Sequence, residues 1–162
     1  MKTILTLISV LFITTSLTAQ NSDKPYDPNR NAEKQIAEAV AKAKKEGKHV
    51  FLQIGGNWCS WCLMMHNFYT TDQKVDSAMQ ANYVVEMINY SKENRNSKVL
   101  QQLGFPQRFG FPVIVILDAD GNRIHTQNTV CLEEGRGYSQ KRFLSFLQNW
   151  SPAALDPQNY KK

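Results

Sequence analysis

The sequence predicts an α/β fold with a central mixed sheet that is flanked by helices on both faces. Short apolar runs between Gly, Pro, Asn and Asp residues indicate strands. Amphipathic stretches between those runs indicate crossover helices, which join parallel strands. A tight turn at Asp120-Gly121 joins the last two strands and predicts an antiparallel hairpin. The length of 162 residues fits one domain of ordinary size.

The N-terminal segment differs in composition from the rest of the chain. Lys2 supplies a positive charge, residues 4–17 are mostly apolar and carry no charge, and the small residues Thr18 and Ala19 follow. This order is typical of a secretory signal, and the apolar run is shorter than the ~20 residues of a membrane span. We expect residues 1–19 to be cleaved, which gives a periplasmic or secreted protein without stable membrane insertion. An uncleaved N-terminal anchor is the alternative.

The remaining elements follow in order along the chain. Residues 20–30 are polar and contain two prolines, which predicts a flexible lead-in. A helix follows over about 31–46, with Asn31 as its N-cap and Gly47 as its C-terminal stop. The apolar run 50–54 predicts a buried central strand. Further elements are a helix from about 60, helical turns over 73–80, a strand over 83–88, a short helix reaching 103, a strand over 112–117, its hairpin partner from 123, a helix over 139–150 and a polar tail over 151–162.

The basic residues are spread along the chain, whose net charge is +5. One cluster, formed by Lys42, Lys44, Lys45 and Lys48, lies at the end of the first predicted helix. Cations there interact favourably with the helix dipole. Because no aromatic residues are interleaved with this cluster, the sequence does not predict a nucleic-acid partner.

Three cysteines carry the candidate chemistry. Cys59 and Cys62 form a Cys-x-x-Cys pair, and Cys131 stands apart from them. The pair follows a buried strand and a glycine turn and lies at the start of a helix, where the partial positive charge favours a thiolate. Cys59 is therefore predicted to attack a substrate disulfide, and Cys62, about one helical turn on, to resolve the mixed disulfide. Cys131 is expected to be a buried, inert thiol.

The segment Trp58-Cys59-Ser60-Trp61-Cys62 resembles the active site of the thioredoxin-like superfamily. Gly110-Phe111-Pro112-Val113 resembles that superfamily's cis-proline segment. The resemblance covers about residues 31–150 and implies a thioredoxin-like fold. It also implies that Pro112 lies beside the dithiol with a cis bond after Phe111. Trp58, Trp61 and Phe111 are then expected to bind substrate, with Trp61 exposed between the cysteines.

The finer pattern resembles secreted bacterial thioredoxin-family proteins with a Trp-Cys-x-Trp-Cys active site. It consists of Glu46-Gly47-Lys48 after the first helix and Met65-His66 in the active-site helix. The resemblance implies a thiol–disulfide oxidoreductase that acts on disulfides of exported proteins, as a reductase or exchange catalyst rather than an oxidase. Its partners would be protein thiols and disulfides and a membrane electron donor. Its redox-active disulfide would require no bound cofactor and no metal.

Two residues depart from the thioredoxin pattern. Gln53 occupies the position of the buried acid that precedes the first cysteine by six residues, and Trp61 replaces the proline before the second cysteine. Glu86 is the one charge in an otherwise apolar strand, on the same face as Val84 and Ile88. It is a candidate proton acceptor for the dithiol. A Glu with its carboxylate in water at a strand edge is the alternative.

Two other functions remain open from the sequence. A copper-handling protein could use Cys59, Cys62 and His66, because soft sulfur ligands suit Cu(I). In the other alternative, a non-catalytic thioredoxin-like binding module, the cysteine pair would be a purely structural disulfide.

Overall fold

Helices cover both faces of a four-stranded sheet in the computed structural model, which describes residues 24–161. The strands are β1 (His49–Gly55), β2 (Tyr83–Asn89), β3 (Val113–Leu117) and β4 (Arg123–Asn128), and a small hairpin adds β5 (Glu133–Glu134) and β6 (Gly137–Tyr138). The helices are α1 (Ala32–Glu46), α2 (Ser60–Thr71), α3 (Gln73–Asn82), α4 (Ser97–Gln102), α5 (Gln140–Asn149) and α6 (Pro152–Leu155). The predicted signal segment 1–19 lies outside the described residues.

The strands of the main sheet lie in the order β2-β1-β3-β4. β1 and β2 are parallel, whereas β3 is antiparallel to both β1 and β4. In this register Gln53 of β1 is paired with Met87 on one side and Ile114 on the other. The prediction of a mixed sheet flanked by helices on both faces is confirmed.

Alternation along β1 divides the core into two layers. Val50, Leu52 and Ile54 belong to the core that packs under α1. Phe51 belongs to the opposite core, which includes side chains from α2, α3 and α5. Gln53, which is two residues after Phe51, points to the same face as Phe51. The two layers therefore offer different surroundings to the polar side chains of the sheet.

The ends of α1 follow from its sequence. The Asn31 side chain accepts a hydrogen bond from the Lys34 backbone at 2.9 Å, which satisfies one of the free N–H groups of the first turn. Gly47 ends the helix with a φ of 65°, a conformation that residues with a Cβ rarely adopt. These two residues fix where α1 begins and ends, and β1 begins two residues after Gly47.

Two predicted irregular segments are ordered. Residues 24–30, the described part of the expected flexible lead-in, dock on the domain, and Tyr26 is only 1% exposed there. The predicted polar tail contains α6 and a 3-10 turn over Pro157–Tyr160. Between residues 24 and 161, no helix is long and apolar enough to cross a membrane.

Candidate active site

Cys59 and Cys62 are joined by a disulfide at the N-terminus of α2. Cys59 is the N-cap residue of this helix, and its Sγ accepts a hydrogen bond from the Cys62 backbone N–H at 3.2 Å. Cys59 is 7% exposed, whereas Cys62 is completely buried. Cys59 is therefore the more accessible of the two cysteines, and the helix N-terminus stabilises negative charge on its sulfur.

The glycine turn before the pair is required by close packing. A Cβ on Gly55 would lie 2.5 Å from Cys62 Sγ and 2.8 Å from the Tyr26 hydroxyl oxygen. A Cβ on Gly56 would overlap the Trp58 indole. Gly55 therefore allows β1 to pass directly against the disulfide, and Gly56 leaves room for the Trp58 indole.

Three aromatic side chains form a ledge beside the disulfide, which we call the aromatic ledge: Trp58, Tyr90 and Phe111. Trp58 is 59% exposed, and its indole N–H donates to the Tyr90 carbonyl at 2.6 Å. Phe111 stacks on Tyr90 with ring centres 4.7 Å apart and meets the Trp58 ring edge-on at 5.6 Å. Phe111 also packs against the buried cluster that contains both cysteines. Exposed aromatic surface of this kind is typical of protein-binding sites.

A groove of about 440 Å³ continues from the aromatic ledge. Its lining consists of Trp58, Tyr90, Ser91, Lys92, Glu93 and Arg95. The groove joins apolar rings to charged residues of the loop after β2. Trp58, which lines this groove, directly precedes Cys59 in the sequence.

Pro112 lies in a fixed segment at the start of β3. The Phe111–Pro112 peptide bond is cis. Pro112 is buried, and its carbonyl accepts a hydrogen bond from the Thr129 hydroxyl at 2.6 Å. The structure thus brings the segment of Phe111 and Pro112 to the dithiol through the packing of Phe111.

Trp61 is less exposed than the sequence predicts. Its ring meets the Tyr138 ring edge-on, with ring centres 5.6 Å apart, and the Tyr138 hydroxyl donates to the Trp61 carbonyl at 3.3 Å. The small hairpin of β5 and β6 carries Tyr138 onto this part of α2 and leaves Trp61 partly buried. A long-range contact of this kind is not visible in the local pattern around Trp61.

Glu86 does not lie at the dithiol. It is paired with Leu52 of β1, and so it faces α1 on the opposite side of the sheet. Its carboxylate lies 2.6 Å from the Arg30 guanidinium and accepts a hydrogen bond from the Gln35 amide at 2.7 Å. The expected proton-acceptor role is therefore not supported, because strand alternation directs Met87, and not Glu86, towards the cysteines.

The residues that do lie behind the disulfide are Gln53 and Tyr26. Gln53 Nε2 donates to the Tyr26 hydroxyl at 2.6 Å and to the Cys62 carbonyl at 2.9 Å. Asn57 fixes Tyr26 through its backbone, because its amide donates to the Tyr26 carbonyl at 2.6 Å and accepts from the Tyr26 N–H at 3.2 Å. Burial raises the pKa of Tyr26 well above its ordinary value. The sequence signals were a lone polar residue in an apolar strand and a lone aromatic in a polar segment.

The remaining candidates lie elsewhere. Cys131 is a free thiol and is exposed, so the expectation of a buried thiol is wrong. His66 packs edge-on against Tyr69, with ring centres 5.5 Å apart, and partial burial lowers the pKa of His66. In the described part of the chain, no group of three or more His, Cys, Asp or Glu side chains is placed to hold a metal ion.

Comparison with known proteins assigns the family. The sequence model of a thioredoxin-like family matches residues 31–119, which is more than half of the chain. The chain belongs to the thioredoxin-like family. The predicted resemblance to the thioredoxin-like superfamily is thereby confirmed.

Two individual proteins are similar to parts of the chain. The chain is 26% identical over 115 residues to the thiol:disulfide interchange protein DsbD of Yersinia enterocolitica. The matched region covers 71% of the chain and 18% of DsbD. The chain is 34% identical over 62 residues to the spermatogenesis-associated protein 20 of Rattus norvegicus, a match that covers 38% of the chain and 8% of that protein. The chain therefore spans less than a fifth of the length of either relative.

A solved structure covers more of the chain. The disulphide isomerase from Xylella fastidiosa Temecula1 superimposes with a TM-score of 0.68 at 27% sequence identity. The match covers 77% of this chain and 95% of the isomerase. The fold expected from the sequence is thus shared with almost the whole of the isomerase.

Proposed function

We propose that this protein is a thiol–disulfide oxidoreductase that acts on disulfides of exported proteins, as a reductase or exchange catalyst rather than an oxidase. The observation that carries the proposal is the placement of the pair. Cys59 caps a helix and keeps 7% of its surface exposed, and Cys62 lies completely buried one turn behind it. This arrangement gives one sulfur that substrates can reach and one that resolves.

The reaction follows from that asymmetry. In the reduced protein, the Cys59 thiolate attacks one sulfur of a substrate disulfide, and the other substrate sulfur leaves as a thiolate. The Cys62 thiol passes its proton to this leaving thiolate and attacks Cys59 Sγ. The second substrate sulfur then leaves, and the Cys59–Cys62 disulfide closes. Two electrons have passed to the substrate, so a donor dithiol must reopen the pair.

Substrate binding is assigned to the aromatic ledge and its groove. Trp58 and Phe111 offer apolar surface within the range of Cys59, and the charged residues of the groove offer polar contacts. Trp61 contributes its exposed edge only, because Tyr138 covers part of its ring. Pro112 holds Phe111 in place at the start of β3.

Location and partners are part of the proposal. The composition of residues 1–19 supports export, which would place the protein in the periplasm or outside the cell, where disulfides persist. The printed name of the Yersinia enterocolitica relative, a thiol:disulfide interchange protein, supports protein thiols and disulfides as reactants. A membrane thiol protein would supply the electrons, and the redox-active disulfide itself would take the place of a bound cofactor.

The test is the reduction potential of the Cys59–Cys62 pair, measured by equilibration with glutathione. A Cys131→Ser variant serves as the matched control, since it removes the exposed third thiol. We expect a value of about −270 mV, the thioredoxin value, in both proteins. A value of about −120 mV, at the strongly oxidising end, would contradict the reductase assignment. Failure to equilibrate would mean a structural disulfide and end the proposal.

A further inference from the structure

The Gln53 side chain is unevenly satisfied behind the disulfide. Its Nε2 donates two hydrogen bonds, to the Tyr26 hydroxyl and to the Cys62 carbonyl. Because a carbonyl oxygen can only accept, the contact with Cys62 fixes which end of the amide is the nitrogen. The other end, Oε1, is buried and has no partner among residues 24–161. A buried acceptor without a partner costs free energy. A state of the protein that supplies a donor to this oxygen is therefore favoured by that interaction.

The Tyr26 hydroxyl has the opposite deficiency. It accepts a hydrogen bond from Gln53, so its own hydrogen is directed to another acceptor. Among residues 24–161, Gln53 is the one hydrogen-bond partner of this hydroxyl. Tyr26 packs in one cluster with both cysteines. A Cβ on Gly55 would lie 2.5 Å from Cys62 Sγ and 2.8 Å from the Tyr26 hydroxyl oxygen, so both atoms border the same small space.

The electrical state of Tyr26 suits a donor and not a base. Burial raises the pKa of its hydroxyl well above the ordinary value, so the proton stays on the oxygen at neutral pH. The other titratable groups that influence it are Tyr69 and Tyr138, and burial raises the pKa of each of these too. The groups that shift the pKa of Tyr26 are therefore uncharged at neutral pH.

We propose that the Tyr26 hydroxyl donates a hydrogen bond to the Cys62 sulfur when the disulfide opens, with Gln53 as the residue that positions the hydroxyl. The inference rests on the proposed exchange function and adds a residue to it. It assigns to a neutral pair the task of stabilising charge on the buried sulfur. Gln53 occupies the position where the thioredoxin pattern has an acid, and Tyr26 comes from the segment before α1.

The step at which the hydrogen bond acts is the reopening of the pair. A thiolate of the donor dithiol attacks Cys59 Sγ, the Cys59–Cys62 bond breaks, and Cys62 Sγ leaves with the bonding electron pair. Tyr26 then donates to this thiolate, whose burial is otherwise costly. The second donor thiol passes its proton to Cys62 and attacks the donor sulfur that is bound to Cys59. The donor ends as a disulfide, Cys59 as a thiolate and Cys62 as a thiol.

The unpartnered oxygen of Gln53 fits the end of this sequence. Once Cys62 carries a proton, its S–H becomes a donor, and the Gln53 amide already contacts the Cys62 backbone carbonyl at 2.9 Å. Gln53 Oε1 is the acceptor that this thiol needs. The pair of Tyr26 and Gln53 thus offers a donor to the thiolate and an acceptor to the thiol, without either residue changing its own charge.

The first measurement is the rate at which dithiothreitol opens the disulfide in full-length Tyr26→Phe. The ring is kept, and the hydroxyl is lost. Since only part of the charge has developed on the leaving sulfur in the transition state, we expect opening to be about 3- to 10-fold slower. Gln53→Met, which leaves the hydroxyl in place but unanchored, should slow opening by less, and it should add little in the double variant.

The second measurement separates a hydrogen bond from a packing role. In a Cys59→Ser, Cys131→Ser background, Cys62 is the one cysteine left, and the ultraviolet absorbance of its thiolate reports its ionisation. Adding Tyr26→Phe should move the midpoint of this titration to higher pH by about one to two units. A midpoint that moves down towards that of an ordinary thiol would show that Tyr26 only seals the site, and the proposal would be wrong.

Tyr83→Phe is the matched control. Tyr83 is also buried, and its hydroxyl donates to the Leu147 carbonyl at 2.6 Å, between α5 and the start of β2. Its loss should lower thermal stability without changing the opening rate or the Cys62 midpoint. If the wild-type pair fails to exchange at all, the proposed function fails. If the wild type exchanges and Tyr26→Phe matches it in rate and midpoint, the role of Tyr26 fails alone.

Discussion

On the α1 face of the sheet, Glu86 is held by Arg30 and Gln35 with part of its carboxylate open to solvent. On the opposite face, Gln53 and Tyr26 are uncharged and completely enclosed behind the disulfide. Each face of the sheet carries a polar side chain from one of two adjacent strands, Glu86 from β2 and Gln53 from β1. The charged one remains where water and an arginine compensate it, and the neutral ones lie where neither is available. The polar side chains behind the buried disulfide are therefore neutral hydrogen-bonding groups and not a carboxylate.

The largest expected effect breaks the close packing of the dithiol face. In Gly55→Ala, the new Cβ would fall 2.5 Å from Cys62 Sγ and 2.8 Å from the Tyr26 hydroxyl. We expect a loss of about 1–3 kcal/mol in the free energy of unfolding, together with slower disulfide exchange, because Cys62 and Tyr26 must both shift. Urea denaturation and the dithiothreitol rate measure the two effects.

Gly137→Ala is the control for that substitution. A Cβ on Gly137 would meet nothing within 4 Å, so its stability should stay within about 0.5 kcal/mol of wild type. Equal stabilities of the two variants would mean that β1 does not press against the disulfide as described.

A smaller effect is expected from the α1 face. Glu86→Gln removes the charge that Arg30 meets and keeps an oxygen for the Gln35 amide. Because the ion pair is partly exposed, the unfolding free energy should fall by no more than about 1 kcal/mol. The rate and pH profile of disulfide exchange should be unchanged, since the sheet lies between Glu86 and the cysteines.

Arg30→Gln sharpens that comparison. It should cost as much as Glu86→Gln, and the double variant should cost little more, since the two residues share one interaction. A change in the exchange pH profile of Glu86→Gln would restore the carboxylate as a proton acceptor and remove the distinction between the faces.

The smallest effect concerns His66 on α2. Partial burial lowers the pKa of His66, so in acid the unfolded chain binds a proton more readily than the folded one. Stability should therefore fall as the pH drops from the unfolded value of about 6.5 through the lower folded value. Thermal unfolding over about pH 5–7 should show this slope in the wild type and a flatter one in His66→Gln. Identical slopes would mean that burial does not lower the pKa of His66 in the folded protein.

Local patterns were enough for most elements of the fold. The N-cap at Asn31, the stop at Gly47 and the apolar run of β3 each depend on neighbouring residues, and the structure has them where the sequence predicts. The cysteine pair at a helix start likewise follows from a strand, a turn and a helix in succession. Such features need no knowledge of which distant segments meet.

The contents of the site behind Cys62 depend on long-range packing. Alternation correctly places Glu86 with Val84 and Ile88, but it does not say which face of the sheet receives α2. Tyr26 reaches Gln53 from a segment without periodicity, so no pattern in either segment predicts the contact. The exposure of Cys131 likewise depends on where the 3-10 turn over Thr129–Leu132 docks, and the partial burial of Trp61 on where the hairpin of β5 and β6 docks.

The docking of residues 24–30 changes where the working unit of this protein begins. The family match starts at residue 31, and a protein trimmed to that boundary would keep all the strands and helices of the described segment 24–161 and all three cysteines. It would nevertheless lose Tyr26 and leave a hole lined by Gln53 and Cys62, into which water would enter. Recombinant versions of this protein, and grafts of its active site onto other scaffolds, therefore need to retain the segment before α1.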